Sequence, residues 1–196
     1  MTAQPRLILA SASTRRRELL AQAGLSFEVI APTLPELRDL MELAPTHQAE
    51  ALAYFKARTV YDADPACWVL GADTLVALDL QILGKPRDRD HAREILSALA
   101  GTRHQVITGV ALLGPDRRLI ASDTTFVTMR KLSAREMNDY LDSNQWAGKA
   151  GAYGIQEIAD RFVEKLEGSF SNVMGLPMEL VTRMLHQAFP ASEHNP

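Results

Sequence analysis

Apolar runs of strand length alternate with segments of helical periodicity along almost the whole chain. Runs at Leu7–Ala10, Phe27–Ala31 and Cys67–Gly71 predict strands, because short apolar runs bounded by turn residues are typical of buried strands. A helical pattern follows the first of them and ends at Gly24, and another covers Ala49–Val60. This alternation predicts an α/β domain in which helices pack on a sheet.

The second half of the chain continues the same alternation. Its predicted elements are, in chain order, a hairpin over Leu75–Gly84 with its turn at Asp79-Leu80, a helix over Asp88–Leu99, strands at Val106–Leu113 and Leu119–Met129, a helix that starts at the capping box Ser133–Glu136, and a last helix from near Pro177. We found no internal repeat, low-complexity segment or clear linker. The sequence therefore predicts a single domain over residues 1–190 and a loose tail over residues 191–196.

The composition excludes several classes of protein. At 196 residues, of which 46% are hydrophobic, the chain is long enough for one sizeable core. Its formal net charge of -3 argues against a nucleic-acid-binding protein, because such domains are usually basic. A single cysteine, Cys67, excludes a disulfide framework and a zinc site made of cysteines alone, and its apolar neighbours predict a buried thiol.

The sequence shows no pattern typical of a membrane span, an export signal or a common catalytic motif. No apolar run approaches the roughly 18 residues that a bilayer span needs, and Leu7–Ala10 is too short for the core of a signal peptide. The P-loop, zinc-protease, nucleophile-elbow and dinucleotide-binding motifs do not occur, and the five histidines show no paired metal-ligand spacing. We therefore expect a cytoplasmic protein that contacts neither membranes nor nucleic acid.

Three consecutive arginines at the start of the first helix are unusual. Ser13 or its neighbour Thr14 can cap this helix, so the arginines fall in the first turn, where the helix dipole disfavours cations. A bound polyphosphate would reverse that penalty, because a helix N-terminus presents free N–H groups to an anion. Ser11 and Ser13 could add hydroxyl donors to such a site. Arg15 and Arg16 could add forked cations that suit phosphate oxygens.

The alternative is that these arginines extend into solvent, as most surface arginines do. In either case they oppose the helix dipole when no ligand is bound. Replacing Arg15 and Arg16 with alanine is therefore expected to leave thermal stability level or slightly higher. Weaker binding of a triphosphate by the same variant would separate the two interpretations.

A second candidate cluster follows the apolar run at Cys67–Gly71. Asp73 and Thr74 come where that strand is expected to end, which is where ligands bind in open α/β sheets. A carboxylate there could hold Mg²⁺ or Mn²⁺ or orient a water, or it could simply cap a turn. Lys85 and Lys56 could neutralise charge on a transferred phosphoryl group, although exposed lysines are usually solvated.

A glycine-rich segment over residues 148–156 forms the third candidate cluster. Its three glycines permit a close approach of the backbone to a ligand. Gln156 offers both a donor and an acceptor, which suits the edge of a pyrimidine base. The alternative is an ordinary flexible loop.

Six segments, in this order, resemble the Maf nucleoside triphosphate pyrophosphatases: LILASASTRR, GADT, LGKPRD, HQVITGV, KAGAYGIQ and GSFSNVMGLP. The resemblance covers nearly the whole chain, from Leu7 to about Leu185. It implies an elongated, mixed-sheet α/β fold of the Maf/ITPase-like kind, with two lobes that flank a substrate cleft. It also implies hydrolysis between the α- and β-phosphates to a nucleoside monophosphate and pyrophosphate, with a divalent metal cation, Mg²⁺ or Mn²⁺, as cofactor.

The resemblance further implies roles for single residues. Asp73 corresponds to the catalytic aspartate of the family, which acts as a proton acceptor or metal-bound carboxylate. Lys85 corresponds to the lysine of the family's G-K-P segment and Lys56 to its helical lysine after the second strand, and both are expected to be catalytic. The family's acidic pair after the second strand appears here as Pro35-Glu36, which leaves Glu36 alone as the second expected metal ligand.

The positions at which the family varies with substrate fall on Arg15, Thr74 and Gln156. Members with these residue types resemble the branch that hydrolyses dTTP and UTP, so pyrimidine nucleoside triphosphates, including modified ones, are the expected substrates. A homodimer is the expected assembly. One alternative is a nucleotide-binding regulator of cell division without catalytic activity. Another is a phosphotransferase, which would leave phosphate rather than pyrophosphate and would need an acceptor.

Overall fold

The computed structural model describes residues 6–33, 43–155 and 161–189. In these ranges, seven strands lie at Leu7–Ala10 (β1), Glu28–Ile30 (β2), Trp68–Leu78 (β3), Gln81–Leu83 (β4), Arg103–Leu113 (β5), Arg118–Met129 (β6) and Val163–Glu167 (β7). Six α-helices span Thr14–Gln22 (α1), Pro45–Tyr61 (α2), Arg89–Leu99 (α3), Ala134–Asp142 (α4), Phe170–Val173 (α5) and Met178–Ala188 (α6). The strands form one mixed sheet in the order β2-β1-β3-β5-β6-β7, with β4 paired to β3. This confirms the predicted α/β fold class.

Most predicted elements are present, with bounds that differ by a few residues. The second helix begins at Pro45 rather than Ala49, because proline suits the first position of a helix. The second strand, predicted over Phe27–Ala31, is confined to Glu28–Ile30. The predicted hairpin turn is confirmed, and Asp79 adopts the left-handed conformation there, with φ of 54°, which aspartate tolerates better than most residues.

Three expectations concern the chain as a whole. The thiol of Cys67 is buried, as predicted. The expected tail over residues 191–196 lies outside the described residues, and the single domain over residues 1–190 stays a prediction. None of the helices in the described ranges is long and apolar enough to cross a bilayer.

The third strand corrects one prediction. The sequence predicts a strand that ends at Gly71, but β3 continues to Leu78 and places Asp73 and Thr74 in its interior. The reason is the pairing with β5, which runs antiparallel to β3 without a break from Val69 to Ala77. Two polar residues inside an apolar run resemble a strand end when this distant partner is unknown.

One edge of β3 changes partner along its length. β1 runs parallel to its first half, and the last pair of that ladder is Ala10 with Gly71. β4 pairs with its second half, from Val76 onward. Among the described residues, no strand pairs with this edge between Ala72 and Leu75. The sheet is therefore open at its centre, beside Asp73 and Thr74.

α2 packs closely on one face of β3 and β5. A Cβ atom built on Gly71 would lie 2.5 Å from the carbonyl oxygen of Ala53, and one built on Gly109 would lie 2.2 Å from that of Ala49. Only glycine fits at these two positions, because real Cβ atoms do not come so near to backbone atoms. The close approach brings Lys56, on the same helix, within reach of Asp73 on the facing side of β3.

Two hydrophobic clusters lie along the other face of the long strands. Trp68, Leu70 and Ala72 of β3 belong to the first cluster, which also contains α6. Val76 belongs to the second, which contains α3 and α4. Alternate residues of a strand share a face, so Thr74 is the polar residue between the two clusters. The clusters correspond to the two predicted lobes.

Candidate active site

The N-terminus of α1 points into the open centre of the sheet. β1 ends at Ala10, and the side chain of Ser13 caps the helix by accepting a hydrogen bond from the backbone N–H of Arg16. The hydroxyl of Ser11 accepts from the N–H of Ser13 at 3.1 Å, which fixes the turn between strand and helix. Ser11, Ser13 and Arg15 all line the cavity that lies there, as the predicted anion site requires.

The cavity has a volume of about 640 Å³ and is rich in cations. Among the described residues that line it, the charged ones are Arg15, Arg16, Lys56, Lys85, Lys149 and Asp73. Five of these six are cationic, although the whole chain carries a formal net charge of -3. Clustered like charges repel one another unless an anion lies among them. The cavity therefore suits a polyanion, and its size suits a small-molecule ligand.

The single carboxylate among those described lining residues is paired. Lys56 donates a hydrogen bond from its Nζ to Oδ1 of Asp73, and the two side chains are only 19% and 15% exposed. Burial lowers the pKa of Lys56, while the charge of Asp73 raises it and the charges of Arg16 and Lys85 lower it further. A bound anion would relieve this crowding of positive charge.

Arg16 has a different environment from the one that its sequence position suggests. Its side chain is buried, and it donates from Nε to the carbonyl of Gly175 at 2.7 Å and from Nη1 to the carbonyl of Ala72 at 2.9 Å. Nη2 donates to the hydroxyl of Thr74 at 3.0 Å. Burial lowers the pKa of this guanidinium, and the charge of Asp73 opposes that effect.

These contacts correct the expected effect of alanine at this position. Arg16 does not extend into solvent, and its guanidinium joins α1, the open edge of β3 and the segment after α5. Removing it would leave the buried carbonyls of Ala72 and Gly175 without their charged donor, so we expect a loss of stability rather than a level or raised one. Its side chain still lines the cavity, and contact with substrate stays a prediction.

The glycine-rich segment reaches the same cavity from the opposite side. A short 3-10 turn covers Ala150–Ala152, and Tyr153 and Gly154 follow on the cavity wall. A Cβ atom built on Gly154 would lie 3.2 Å from Cε of Lys149 and 3.5 Å from Nη1 of Arg15. The segment thus comes close to the side chain of Arg15 on α1, and a side chain at Gly154 would have to displace the flexible end of Lys149 slightly.

Two of the predicted site residues cannot be placed. Gln156 and Glu36 lie outside the described residues, so base recognition by the first and metal binding by the second stay predictions. Within the described ranges, no group of three or more histidine, cysteine, aspartate and glutamate side chains is arranged to hold a metal ion.

The structure also adds residues that sequence reasoning missed. Val173–Gly175 line the cavity, and His104 supports its wall by a 2.8 Å hydrogen bond between Nε2 and the hydroxyl of Tyr153. Burial lowers the pKa of His104 to about 4, so this ring is neutral at pH 7. His104 lies two residues before the apolar Val106, and residues two apart in a strand share a face. This spacing is the sequence signal that could have indicated a buried histidine.

Comparison with known proteins decides the family. A family described as "Maf-like protein" matches residues 6–188. The chain belongs to the Maf family. A curated Maf relative from Bordetella avium, named dTTP/UTP pyrophosphatase, is 44% identical over 196 aligned residues, which cover 94% of this chain and 96% of that protein.

Further relatives carry the same name. One from Yersinia pestis is 47% identical, with 92% of this chain and 94% of that protein covered. One from Myxococcus xanthus is 45% identical, with 94% and 93% covered. Among solved structures, one described as a nucleoside-triphosphatase or dITP/XTP pyrophosphatase from Mycobacterium abscessus is similar at a TM-score of 0.48 and 14% identity, with 94% of each chain covered.

All six Maf segments that the sequence singled out contribute to the cavity. The lining includes residues from each of them. In chain order these are Ser11–Arg16, Asp73, Thr74, Lys85, Val106, Lys149, Ala150, Tyr153–Ile155 and Val173–Gly175. These segments are far apart along the chain and come together only in the folded protein. The cavity is therefore the candidate active site of this Maf protein.

Proposed function

We propose that this protein hydrolyses dTTP and UTP to the nucleoside monophosphate and pyrophosphate. The observation that carries the proposal is the cavity itself, in which five cationic side chains surround the paired carboxylate of Asp73. A nucleoside triphosphate offers the matching polyanion. The family and the names of its relatives, at 44–47% identity, support the choice of dTTP and UTP.

In the proposed reaction, a water oxygen bonds to the α-phosphorus while the bond from that phosphorus to the bridging oxygen of the β-phosphate breaks. Asp73 accepts the proton that the water loses, which is the role of a general base. Lys56, held by Asp73, and Lys85 stabilise the negative charge that develops on the phosphates. Pyrophosphate then leaves, and the water oxygen remains on the monophosphate.

The residues of the cavity are compatible with a divalent cation. Mg²⁺ is usually held by one or two carboxylates together with substrate phosphates, and the described lining supplies one carboxylate, Asp73. Asp73 would hold Mg²⁺ or Mn²⁺, with Glu36 as a second ligand. When bound, the cation would neutralise charge on the phosphates.

The proposal is tested with a panel of nucleoside triphosphates, with and without Mg²⁺ or Mn²⁺, in which pyrophosphate and phosphate are measured separately. We expect pyrophosphate from UTP and dTTP, dependence on the metal, and little product from purine nucleotides. Binding without any product would instead support a regulator. Release of phosphate would support a phosphotransferase that passes the phosphoryl group to water when its acceptor is absent. A homodimer and a cytoplasmic location stay predictions.

A single substitution tests base recognition. Gln156→Ala is expected to lower UTP turnover about tenfold and to leave weak activity on purine nucleotides nearly unchanged, because the proposed role of the amide is to contact only the pyrimidine edge. Pyrophosphate release from UTP and GTP is measured for both proteins. An equal loss on every nucleotide would place Gln156 among the groups that bind phosphate or metal.

A further inference from the structure

A buried chain of hydrogen bonds runs from the cavity into the sheet. Nη2 of Arg16 donates to Oγ1 of Thr74 at 3.0 Å, and that oxygen lies 3.0 Å from Oγ1 of Thr108 on β5. Oγ1 of Thr108 donates in turn to the carbonyl of Asn172 at 3.1 Å. Thr108 and Asn172 are fully buried, whereas Thr74 is half-buried and lines the cavity.

The direction of this chain follows from the number of protons available. Each threonine hydroxyl has one proton, and a carbonyl cannot donate. If Thr108 donates to the carbonyl of Asn172, the proton between the two threonines must come from Thr74. The other arrangement would leave that carbonyl with only the N–H of Gly175, at 2.9 Å, as a donor. It would also free the proton of Thr74 for the cavity or for the carbonyl of Gly175, a longer contact of 3.4 Å. The first arrangement is favoured because its bonds are shorter.

Asn172 is held firmly enough to fix that direction. Its side-chain Nδ2 donates to the carbonyl of Val106 at 3.0 Å and to Oγ1 of Thr125 at 2.9 Å. Its backbone N–H donates to the hydroxyl of Ser169 at 3.1 Å. The side-chain amide thus ties the GSFSNVMGLP segment to β5 and β6. The backbone carbonyl of Asn172 cannot move away from Thr108 without breaking these bonds.

Thr74 therefore presents an acceptor, and not a donor, to the cavity. Its proton is used within the sheet, one lone pair accepts from Arg16, and the second lone pair remains. We propose that Thr108 and Asn172 are positioning residues that hold the hydroxyl of Thr74 as an acceptor for N3–H of uracil or thymine. This proposal rests on the proposed hydrolysis of dTTP and UTP.

The fixed direction of the hydrogen bond from Thr74 to Thr108 would allow the site to distinguish uracil from cytosine, which Gln156 alone cannot do. Cytosine carries an acceptor at N3 where uracil carries a donor. A side-chain amide can turn over to follow that exchange, so a glutamine by itself accepts both bases. A hydroxyl whose proton is held on the far side cannot turn in this way. Two acceptors would then face each other when cytosine is bound, and CTP is rejected.

The test measures kcat/KM for UTP and CTP with Thr108→Val, which keeps the shape of the side chain but removes its hydroxyl. The proton of Thr74 then has only the long 3.4 Å contact to the carbonyl of Gly175 within the protein and can turn to the cavity. The preference for UTP over CTP should therefore fall about tenfold. Thr108→Ser, which keeps the hydroxyl, should retain the preference. Thr128→Val on β6, outside the cavity lining, is the matched control and should also retain it.

An unchanged ratio of UTP to CTP in Thr108→Val, or an equal loss on both nucleotides, would overturn the proposal. Thr108→Ala provides a second variant if the valine does not fold, and the melting temperature of each variant is measured first. Comparison of UTP with dUTP separates the base from the ribose, because a 2′-hydroxyl donor to Thr74 would change that ratio instead. The proposed function fails separately, if the unaltered protein releases no pyrophosphate from UTP or dTTP.

Discussion

Asp73→Asn is expected to lower pyrophosphate release from UTP by about 100-fold or more, in line with the loss of a general base. Asparagine keeps the size of the side chain but removes the charge that accepts a proton or holds a cation. Asp73 is the one acidic residue among the described residues that line the cavity, so no neighbour among them can take over its task. Turnover is measured at saturating UTP and metal.

Asp73→Asn should not weaken the binding of the nucleotide, although it lowers turnover. Removal of a negative charge leaves five cations around the cavity, so a non-hydrolysable UTP analogue should bind at least as tightly when no metal is present. Asp116→Asn, in the exposed turn between β5 and β6, is the matched control and should keep full activity. Near-normal pyrophosphate release by Asp73→Asn would remove this residue from the mechanism.

Arg16→Ala is expected to lower the free energy of unfolding by about 3 kcal/mol or more. The substitution removes three hydrogen bonds and leaves the buried carbonyls of Ala72 and Gly175 without their charged donor, at about 1–3 kcal/mol for each unsatisfied group. Urea unfolding measures the difference. Activity should fall as well, because the same guanidinium holds Thr74 and lines the cavity.

The neighbouring arginine offers a close control. Arg17 lies on the same helix and is exposed, so Arg17→Ala should change the free energy of unfolding by no more than about 0.5 kcal/mol. Arg16→Lys keeps the charge but cannot reach three acceptors with one ammonium group, and we expect it to be destabilised too. Equal stability of the Arg16 and Arg17 alanine variants would show that the buried contacts contribute little.

Local features of the sequence were sufficient to predict much of the fold. The apolar run at Leu7–Ala10, the cap at Ser13 and the capping box at Ser133 are short-range patterns, and the structure contains each of them. The length of β3 was not predictable in this way. Whether Asp73 and Thr74 end a strand or lie within it depends on β5, whose residues come much later in the chain.

The site shows the same limit more sharply. Three consecutive arginines have almost identical local sequence, yet Arg15 is half-buried, Arg16 is buried and Arg17 is exposed. What distinguishes Arg16 is the carbonyl of Gly175, 159 residues further along the chain. A sequence can indicate that cations gather near a helix N-terminus, but it does not show which of them the protein uses for its own structure.

The open edge of β3 has a consequence for association between molecules. A sheet edge with unpaired N–H and C=O groups is a template on which a strand of another molecule can add, and this is a common route to aggregation. Arg16 occupies part of that edge by donating to the carbonyl of Ala72. The guanidinium satisfies one backbone carbonyl of the edge, but it does not itself form a strand to which another strand could add. The opening therefore admits a small ligand and resists pairing with a strand of a second chain.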